Sequence, residues 1–370
     1  MIWLKRILCI VGSMNAGGAE TFLMKLYRNI DRTKYQMDFC VAIKEPGIYD
    51  NEIKSLGGKI LYTTPKSKGA VKSFMSIRKI VSENKYEYVM RVSQHSLSGI
   101  ELIAAKLGGA KTTIFRSSNT QTGGGFINRF LHKICLPITK FVPDIKIAPS
   151  TEAADFMFGK NSVKKRNVLI IPNALNIDSY IYDNKNRFKC REELNLHDKV
   201  VIGHIGRLTH QKNHNYLIDI FAEIKSEINN AVLLIIGKGE LKSEIEEKVE
   251  KLSLADSVMF LGVREDIPKL LSAMDIFVFP SFFEGMPNTV IEAQTSGLPC
   301  VIADTITREV AVTKYVKFLS LNDSAEIWAS KILEFLNTSD DQRKLAAEEM
   351  RSNGYNIEDT VQLFVNNIFD

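Results

Sequence analysis

Residues 200–212 read Val200-Val201-Ile202-Gly203-His204-Ile205-Gly206-Arg207-Leu208-Thr209-His210-Gln211-Lys212. A short, β-branched apolar run that stops at a glycine and a polar loop is the pattern of a strand buried on both faces. Residues 216–228 then carry helical spacing. Further strand runs follow at 232–236, 258–261, 276–280 and 299–303, with helical segments at 241–252 and 289–296 between them. Strand–helix alternation of this kind predicts a parallel sheet covered on both sides. The same alternation precedes it. Strands are expected at 7–11, 41–43, near 60, 88–92 and 112–115, with helices at 20–29 and 101–107, and residues 168–173 close the series. Residues 180–196 are polar and suit a linker and a leading helix. Residues 326–369 are helical, with a break near 353–355. The fold class is therefore α/β, with two Rossmann-like, doubly wound domains at 1–175 and 176–350. A helix at 351–370 is expected to return to the first. Open α/β sheets bind ligands beyond the carboxyl ends of their strands, so two such ends facing one cleft would hold two substrates together.

Composition bounds the alternatives. The chain has 370 residues, 45% apolar and 25% charged, which are globular proportions. No run approaches 18 apolar residues, so no membrane span is expected. The start, MIWLKRILCIVG, runs into a glycine-rich turn and reads as a first strand rather than a signal peptide. The five cysteines form no CxxC pair, which suits free thiols in a reducing cytoplasm. His210 and His214 have i,i+4 spacing, but Lys212 lies between them and His210 falls in a loop, so no metal site is expected.

The net charge of +5 hides a division. Residues 1–175 hold 27 Lys or Arg against 12 Asp or Glu, and residues 176–370 hold 21 against 31. The first half is thus at +15 and the second at −10. In the basic half, residues 126–146 (FINRFLHKICLPITKFVPDIK) interleave cations with large apolar residues. That mixture suits the headgroup layer of an anionic membrane better than a nucleic-acid groove. A peripheral place on the inner face of the cell membrane is the expectation, with no nucleic acid as partner.

Three stretches carry chemistry. Gly12 and the pair Gly17-Gly18 sit between a strand and a helix, where glycine permits φ > 0 and close approach of an anion to backbone amides. Their spacing is not that of a dinucleotide-binding turn. Arg207 and Lys212 follow a strand, and two cations there suit a diphosphate and the charge of a leaving group. The stretch Pro280-Ser281-Phe282-Phe283-Glu284-Gly285-Met286-Pro287-Asn288-Thr289-Val290-Ile291-Glu292 runs from a strand through a turn into a helix. Amides of Gly285, Met286, Asn288 and Thr289 suit phosphate or sugar oxygens, and Pro287 offers none. Glu284 and Glu292 are acceptors for vicinal hydroxyls. His95 follows a strand in the first domain and is a candidate for the acceptor or donor-sugar side.

Glu284 and Glu292 form an E-x7-E motif. With GRLTHQK at 206–212, GKGEL at 237–241, FLGVREDIP at 260–268 and GGAET at 17–21, nearly the whole chain resembles a family 4 retaining glycosyltransferase of the GT-B fold. It is most similar to bacterial members that build capsule, exopolysaccharide or lipopolysaccharide O-chains. The resemblance implies transfer of a hexose or N-acetylhexosamine from a nucleoside diphosphate sugar, UDP-linked by default, with retention and with no cofactor or divalent metal. It implies a sugar or undecaprenyl-diphosphate-linked saccharide as acceptor. Arg207 and Lys212, with Gly206 before them, would hold the diphosphate; Glu292 the ribose; Glu284 the donor hexose; Val263 and Arg264 the base. Gly17 and Gly18 would let the first-domain loop approach the donor phosphate. Pro172-Asn173-Ala174 stands where relatives carry PNG. Relatives also often carry an HSHN-like stretch where this chain has Arg116-Ser117-Ser118-Asn119. Ser118 takes the place of a histidine that points at the donor sugar, and Ser118 or Asn119 is left to supply a hydrogen bond. Two rival functions share these features: a nucleotide-sugar epimerase and a non-catalytic sugar-nucleotide-binding partner.

Overall fold

The computed structural model describes residues 4–15, 17–119, 125–336 and 340–369. They form two compact units, residues 1–175 with 357–370 and residues 176–356.

The first unit alternates β1 (Lys5–Ile10), α1 (Gly18–Asn29), β2 (Tyr35–Val41), α2 (Asp50–Ser55), β3 (Ile60–Tyr62), α3 (Ala70–Asn84), β4 (Tyr88–Ser93), α4 (Ile100–Leu107), β5 (Thr112–Ser117), α5 (Phe126–Phe141), β6 (Ile145–Ala148), α6 (Thr151–Phe158), α7 (Ser162–Arg166) and β7 (Val168–Ile170). Its sheet has the order β3-β2-β1-β4-β5-β6-β7, and every pairing is parallel. The order reverses between β1 and β4, where Ile10 pairs with Arg91. Both faces of β1 are buried. Ile7 and Cys9 pack on one side with Phe22, Leu26 and Phe39, and Leu8 and Ile10 on the other with Val89, Phe115 and Phe158.

β2 starts six residues before the strand expected at 41–43. Asp38 disguised it. The side chain is fully buried but accepts from Arg6 at 2.9 Å, the Lys59 N–H at 2.8 Å and the Tyr86 hydroxyl at 2.7 Å. A buried carboxylate is tolerated when its lone pairs are filled.

The second unit runs α8 (Asn184–Glu193), β8 (Val200–Ile205), α9 (His214–Glu227), β9 (Ala231–Ile236), α10 (Lys242–Lys251), β10 (Val258–Gly262), α11 (Ile267–Ala273), β11 (Ile276–Phe279), α12 (Asn288–Thr295), β12 (Cys300–Ala303), β13 (Val316–Leu319), α13 (Ala325–Phe335) and α14 (Asp340–Ser352). The sheet order is β10-β9-β8-β11-β12-β13, with its reversal between β8 and β11. β8, the opening stretch, is the central strand. Asp275 fastens α8 beneath the sheet, accepting from Arg187 and Arg191 at 2.6 Å each and from the Val201 N–H at 2.7 Å.

After a turn at Gly354, where φ is +78°, α15 (Ile357–Ile368) joins the first unit. Phe364, Val365 and Ile368 enter its core beside α1, and Phe369 stacks on Tyr35 with centroids 4.7 Å apart. Among the described residues no helix is long and apolar enough to cross a membrane.

Candidate active site

The loops that follow β8 to β11 gather at the carboxyl end of the second sheet, and backbone contacts fix them together. The Gly206 N–H donates to Ile236 O at 2.9 Å, and the Gly237 N–H to Gly262 O at 2.8 Å. Gly237 has φ +141°, and a Cβ there would lie 2.0 Å from Gly206 O. Only glycine combines that backbone with so close a neighbour. A Cβ at Gly206 would press at 3.1 Å on His204 Nε2 and on the Lys212 stem.

Lys212 ends a short 3₁₀ turn, His210–Lys212, which Asn213 closes in the left-handed region at φ 54°. The turn is zipped to the next loop. The Phe282 N–H donates to Gln211 O at 2.9 Å, Gln211 Nε2 donates to Phe283 O at 2.9 Å, and His210 stacks on Phe282. Two residues 72 positions apart thereby meet. Lys212 Nζ lies 2.6 Å from Glu284 Oε1, with side-chain exposures of only 14% and 12%. The same ammonium sits 4.4 Å from the Phe279 ring centroid, a cation–π contact from below. Arg207 is exposed and forms no ion pair among the described residues, so it presents a cation to whatever enters.

α12 starts behind Pro287, with no side-chain cap. Gly285 and Met286 are buried just before it. Asn288 Oδ1, Thr289 Oγ1 and Ser281 Oγ are buried without a hydrogen-bond partner among the described residues. Such orphans are uncommon in native interiors; Asn288 and Thr289 stand at the start of α12, where the helix dipole favours an anion, and Ser281 lies in the loop between β11 and α12. Glu292 lies buried one turn inside. At the end of β10, Val263 is 61% exposed. Arg264 is committed to Asp266 through bonds of 2.7 and 2.6 Å. That fork holds the Asp266 carboxyl below its ordinary range and raises the Arg264 guanidinium.

The sequence reading passed over His204 within the β8 run. Its Nδ1 lies 2.9 Å from Val278 O, so Nδ1 carries the proton and Nε2 is a bare acceptor under the Gly206 loop. His214 approaches it edge-on at 4.7 Å. Burial pushes His204 well down and His214 to about 4, so both are neutral at physiological pH. Among the described residues no three His, Cys, Asp or Glu side chains gather as metal ligands.

The remaining candidates lie in the first unit. Ala16, inside the glycine turn, falls outside the described residues. Gly17 caps α1 with φ −142°, and neither Gly12, Gly17 nor Gly18 has positive φ. The positive φ that glycine permits is thus not used at these three positions, which leaves close approach to the backbone as their part in the expected site. At Gly18 a Cβ would meet nothing within 4 Å, so the missing side chain leaves the start of α1 bare rather than relieving strain. Ser118 and Asn119 are half-buried beyond β5, and the Ser118 N–H donates to Ser93 O at 3.2 Å. Behind them the fully buried Arg116 donates to Asn173 Oδ1 at 2.7 Å and lies 3.5 Å over the Phe22 ring. It ties the 116–119 stretch to Pro172-Asn173-Ala174. Burial without a carboxylate lowers its guanidinium to about 9. His95 accepts from the Leu97 N–H on Nδ1 at 3.1 Å, so Nε2 carries the proton and donates to Asn128 O at 3.0 Å. Both ring nitrogens are taken up by backbone of this unit.

The profile of the family described as "Glycosyl transferases group 1" matches residues 186–356, all within the second unit. Along nearly its whole length the chain is similar to "Putative glycosyltransferase EpsF" of Bacillus subtilis (strain 168), 31% identical over 367 residues, covering 98% of this chain and 96% of the relative. It is 28% identical over 245 residues to the "UDP-Gal:alpha-D-GlcNAc-diphosphoundecaprenol alpha-1,3-galactosyltransferase" of Escherichia coli, covering 63% of this chain and 62% of that one. The crystal structure of Anabaena Alr3699/HepE in complex with UDP-glucose has the same fold, with a TM-score of 0.80, 18% identity and 98% of each chain covered. The two Rossmann-like units make up the GT-B fold, and the chain belongs to the group 1 glycosyl transferases.

Proposed function

We propose that this chain is a retaining glycosyltransferase of bacterial surface-polysaccharide synthesis. It moves a hexose or N-acetylhexosamine from a nucleoside diphosphate sugar, UDP-linked, to a saccharide carried on undecaprenyl diphosphate. The observation that carries the reading is the Lys212–Glu284 contact beside Arg207 and the uncapped start of α12. Cations, helix amides and unpartnered buried oxygens there form a set for a sugar joined to a diphosphate. The Escherichia coli relative, whose name gives a UDP-sugar donor and a diphosphoundecaprenol acceptor, supports the choice of substrates.

In this mechanism Arg207 and Lys212 hold the diphosphate, and Gly206 lets it approach the backbone. Amides of Gly285, Met286, Asn288 and Thr289 seat phosphate and sugar oxygens. Glu284 accepts from donor-sugar hydroxyls, Glu292 from the ribose, and Val263 and the Arg264 backbone border the base. The acceptor hydroxyl attacks the anomeric carbon on the face from which the diphosphate departs. A new C–O bond forms as the bond to the β-phosphate oxygen breaks. The acceptor proton passes to the departing phosphate, and the negative charge is met by Arg207, Lys212 and the α12 dipole. No protein base and no metal are required. Acceptor binding is assigned to the first unit, with Ser118 and Asn119 on the sugar side. The chain would work at the cytoplasmic face of the membrane. A screen of nucleotide sugars by nucleotide release, with and without chelator and with membrane extract as acceptor source, tests the reading. Release that depends on acceptor and ignores chelator supports it. Sugar isomerisation without acceptor would support an epimerase instead.

A further inference from the structure

α5 is built inside out. On a helix of 3.6 residues per turn, Phe126, Phe130, Ile134, Pro137 and Phe141 fall on one line. That line faces away from the body: Phe126 is 77% exposed, Phe130 55%, Ile134 57% and Phe141 78%, with Ile127 beside them at 74%. The face against the body is polar. His132 and Thr139 are buried there with Cys135, held by hydrogen bonds and by the stack of the His132 ring on Phe156, centroids 4.3 Å apart. The His132 ring accepts from the Ser96 N–H at 3.2 Å and its carbonyl from Ser96 Oγ at 2.6 Å; Thr139 Oγ1 donates to Met157 O at 2.7 Å. A helix of a soluble unit turns its apolar stripe inward. Here about 24 Å of helix turns it outward, and an exposed apolar patch of this kind marks a contact surface.

Charge identifies what covers it. Arg129, Lys133 and Lys140 form a second line along one flank of the stripe, and no acidic residue occurs between positions 126 and 143. Lys66 lines a cavity of about 260 Å³ together with Asn128 and Leu131 of α5. It thereby brings up the start of α3, where exposed Lys68 and Lys72 accompany Val71 and Met75, 76% and 51% exposed. Pairing two copies through α5 would set these like charges against each other, which opposes association. An anionic bilayer satisfies both lines at once, taking the apolar stripe at the acyl boundary and the cations at the headgroups.

We infer that α5 lies in the plane of an anionic bilayer, its Phe126–Phe141 stripe inserted and its Arg129, Lys133 and Lys140 flank on the headgroups. This deepens the proposed membrane location into a defined docking element. It rests on the reading of an acceptor carried on a lipid only for its purpose, since the cavity walled by α5 would then lie at the height of a lipid's head.

Flotation of the full-length protein with phosphatidylcholine vesicles, with and without phosphatidylglycerol, tests it. The wild type is expected to float with anionic vesicles at low salt and to be released at high salt. The F130S/I134S/F141S variant should lose vesicle recovery at least tenfold. The R129Q/K133Q/K140Q variant should bind anionic vesicles about a hundredfold more weakly. Both should retain the wild-type circular dichroism spectrum and nucleotide release with a soluble acceptor. Wild-type protein that ignores vesicles, or triple variants that float like it, would overturn the inference. So would a concentration-dependent dimer that the serine variant abolishes without any lipid binding. Flotation needs no donor sugar, so vesicle binding without turnover would sink the transferase reading and leave this one, and the reverse result the opposite.

Discussion

Replacing Lys212 with methionine keeps the stem against Gly206 and Phe279 and removes only the charge. Two effects follow from its surroundings. The first is on stability. The ammonium is 2.6 Å from Glu284 and both side chains are mostly enclosed, so its loss strands a carboxylate. Breaking a buried pair costs about 3–5 kcal/mol; partial exposure brings this to about 2 kcal/mol, or about 4–8 °C of melting temperature for a unit of the size of residues 176–356. The second is on turnover. A positioned group that meets developing charge is worth about 2.7–4 kcal/mol, or about 10²–10³ in kcat. The double variant K212M/E284Q separates the two. Neutralising the stranded carboxylate should restore most of the melting temperature while nucleotide release stays low. Thermal melts and steady-state release on the wild type, K212M and K212M/E284Q decide the matter. If K212M keeps kcat within threefold of the wild type while its melting temperature falls, Lys212 is only a strut and the reasoning is refuted.

Gly237→Ala places a Cβ on Gly206 O at φ +141° and should cost about 3 kcal/mol or more, measured as a lower urea midpoint together with weaker UDP binding. His214 has a folded pKa near 4 against about 6.5 unfolded. The unfolded chain therefore takes up the proton first as pH falls. The stability that neutral His214 represents is complete above about pH 6.5 and is lost toward pH 4, a change of about 3 kcal/mol in all and about 2 kcal/mol between pH 7.5 and 5; urea midpoints at those two pH values should differ accordingly, and His214→Phe should shrink the difference. Phe364 is fully buried in the first unit's core, and Phe364→Ala should destabilise it by about 3–5 kcal/mol, which a drop in the calorimetric transition would show.

The parts of this molecule that were legible in the sequence are those where local pattern and burial agree. β8 reads as a strand because its Val and Ile residues are buried on both faces, and the loops after β8 and β11 stand out because cations and carboxylates gather at strand ends, where the fold brings Lys212 and Glu284 within 2.6 Å. What escaped depends on partners distant in sequence. Asp38 broke the apolar run of β2 and is buried only because Arg6, Tyr86 and the Lys59 amide surround it. Lys212 and Glu284 were chosen separately; their contact needed the Gln211–Phe283 zipper. His204 looked like any residue in a strand until its lone pair was found under Gly206. The 126–146 stretch gave its membrane-like composition directly, but not that α5 turns its apolar line outward, which depends on Ser96 and Met157 holding the other face.

The proposed chemistry has the loops of Arg207, Lys212 and Glu284 bind a nucleoside diphosphate sugar and transfer its sugar with retention. Its most direct test is proton NMR of the product formed from an α-linked nucleotide sugar, found by the release screen, and a membrane-derived acceptor. Stoichiometric nucleoside diphosphate and a new α-glycosidic anomeric signal are expected, both lost in Arg207→Ala and Lys212→Met. A β-linked product, or equal turnover by those variants, would contradict it.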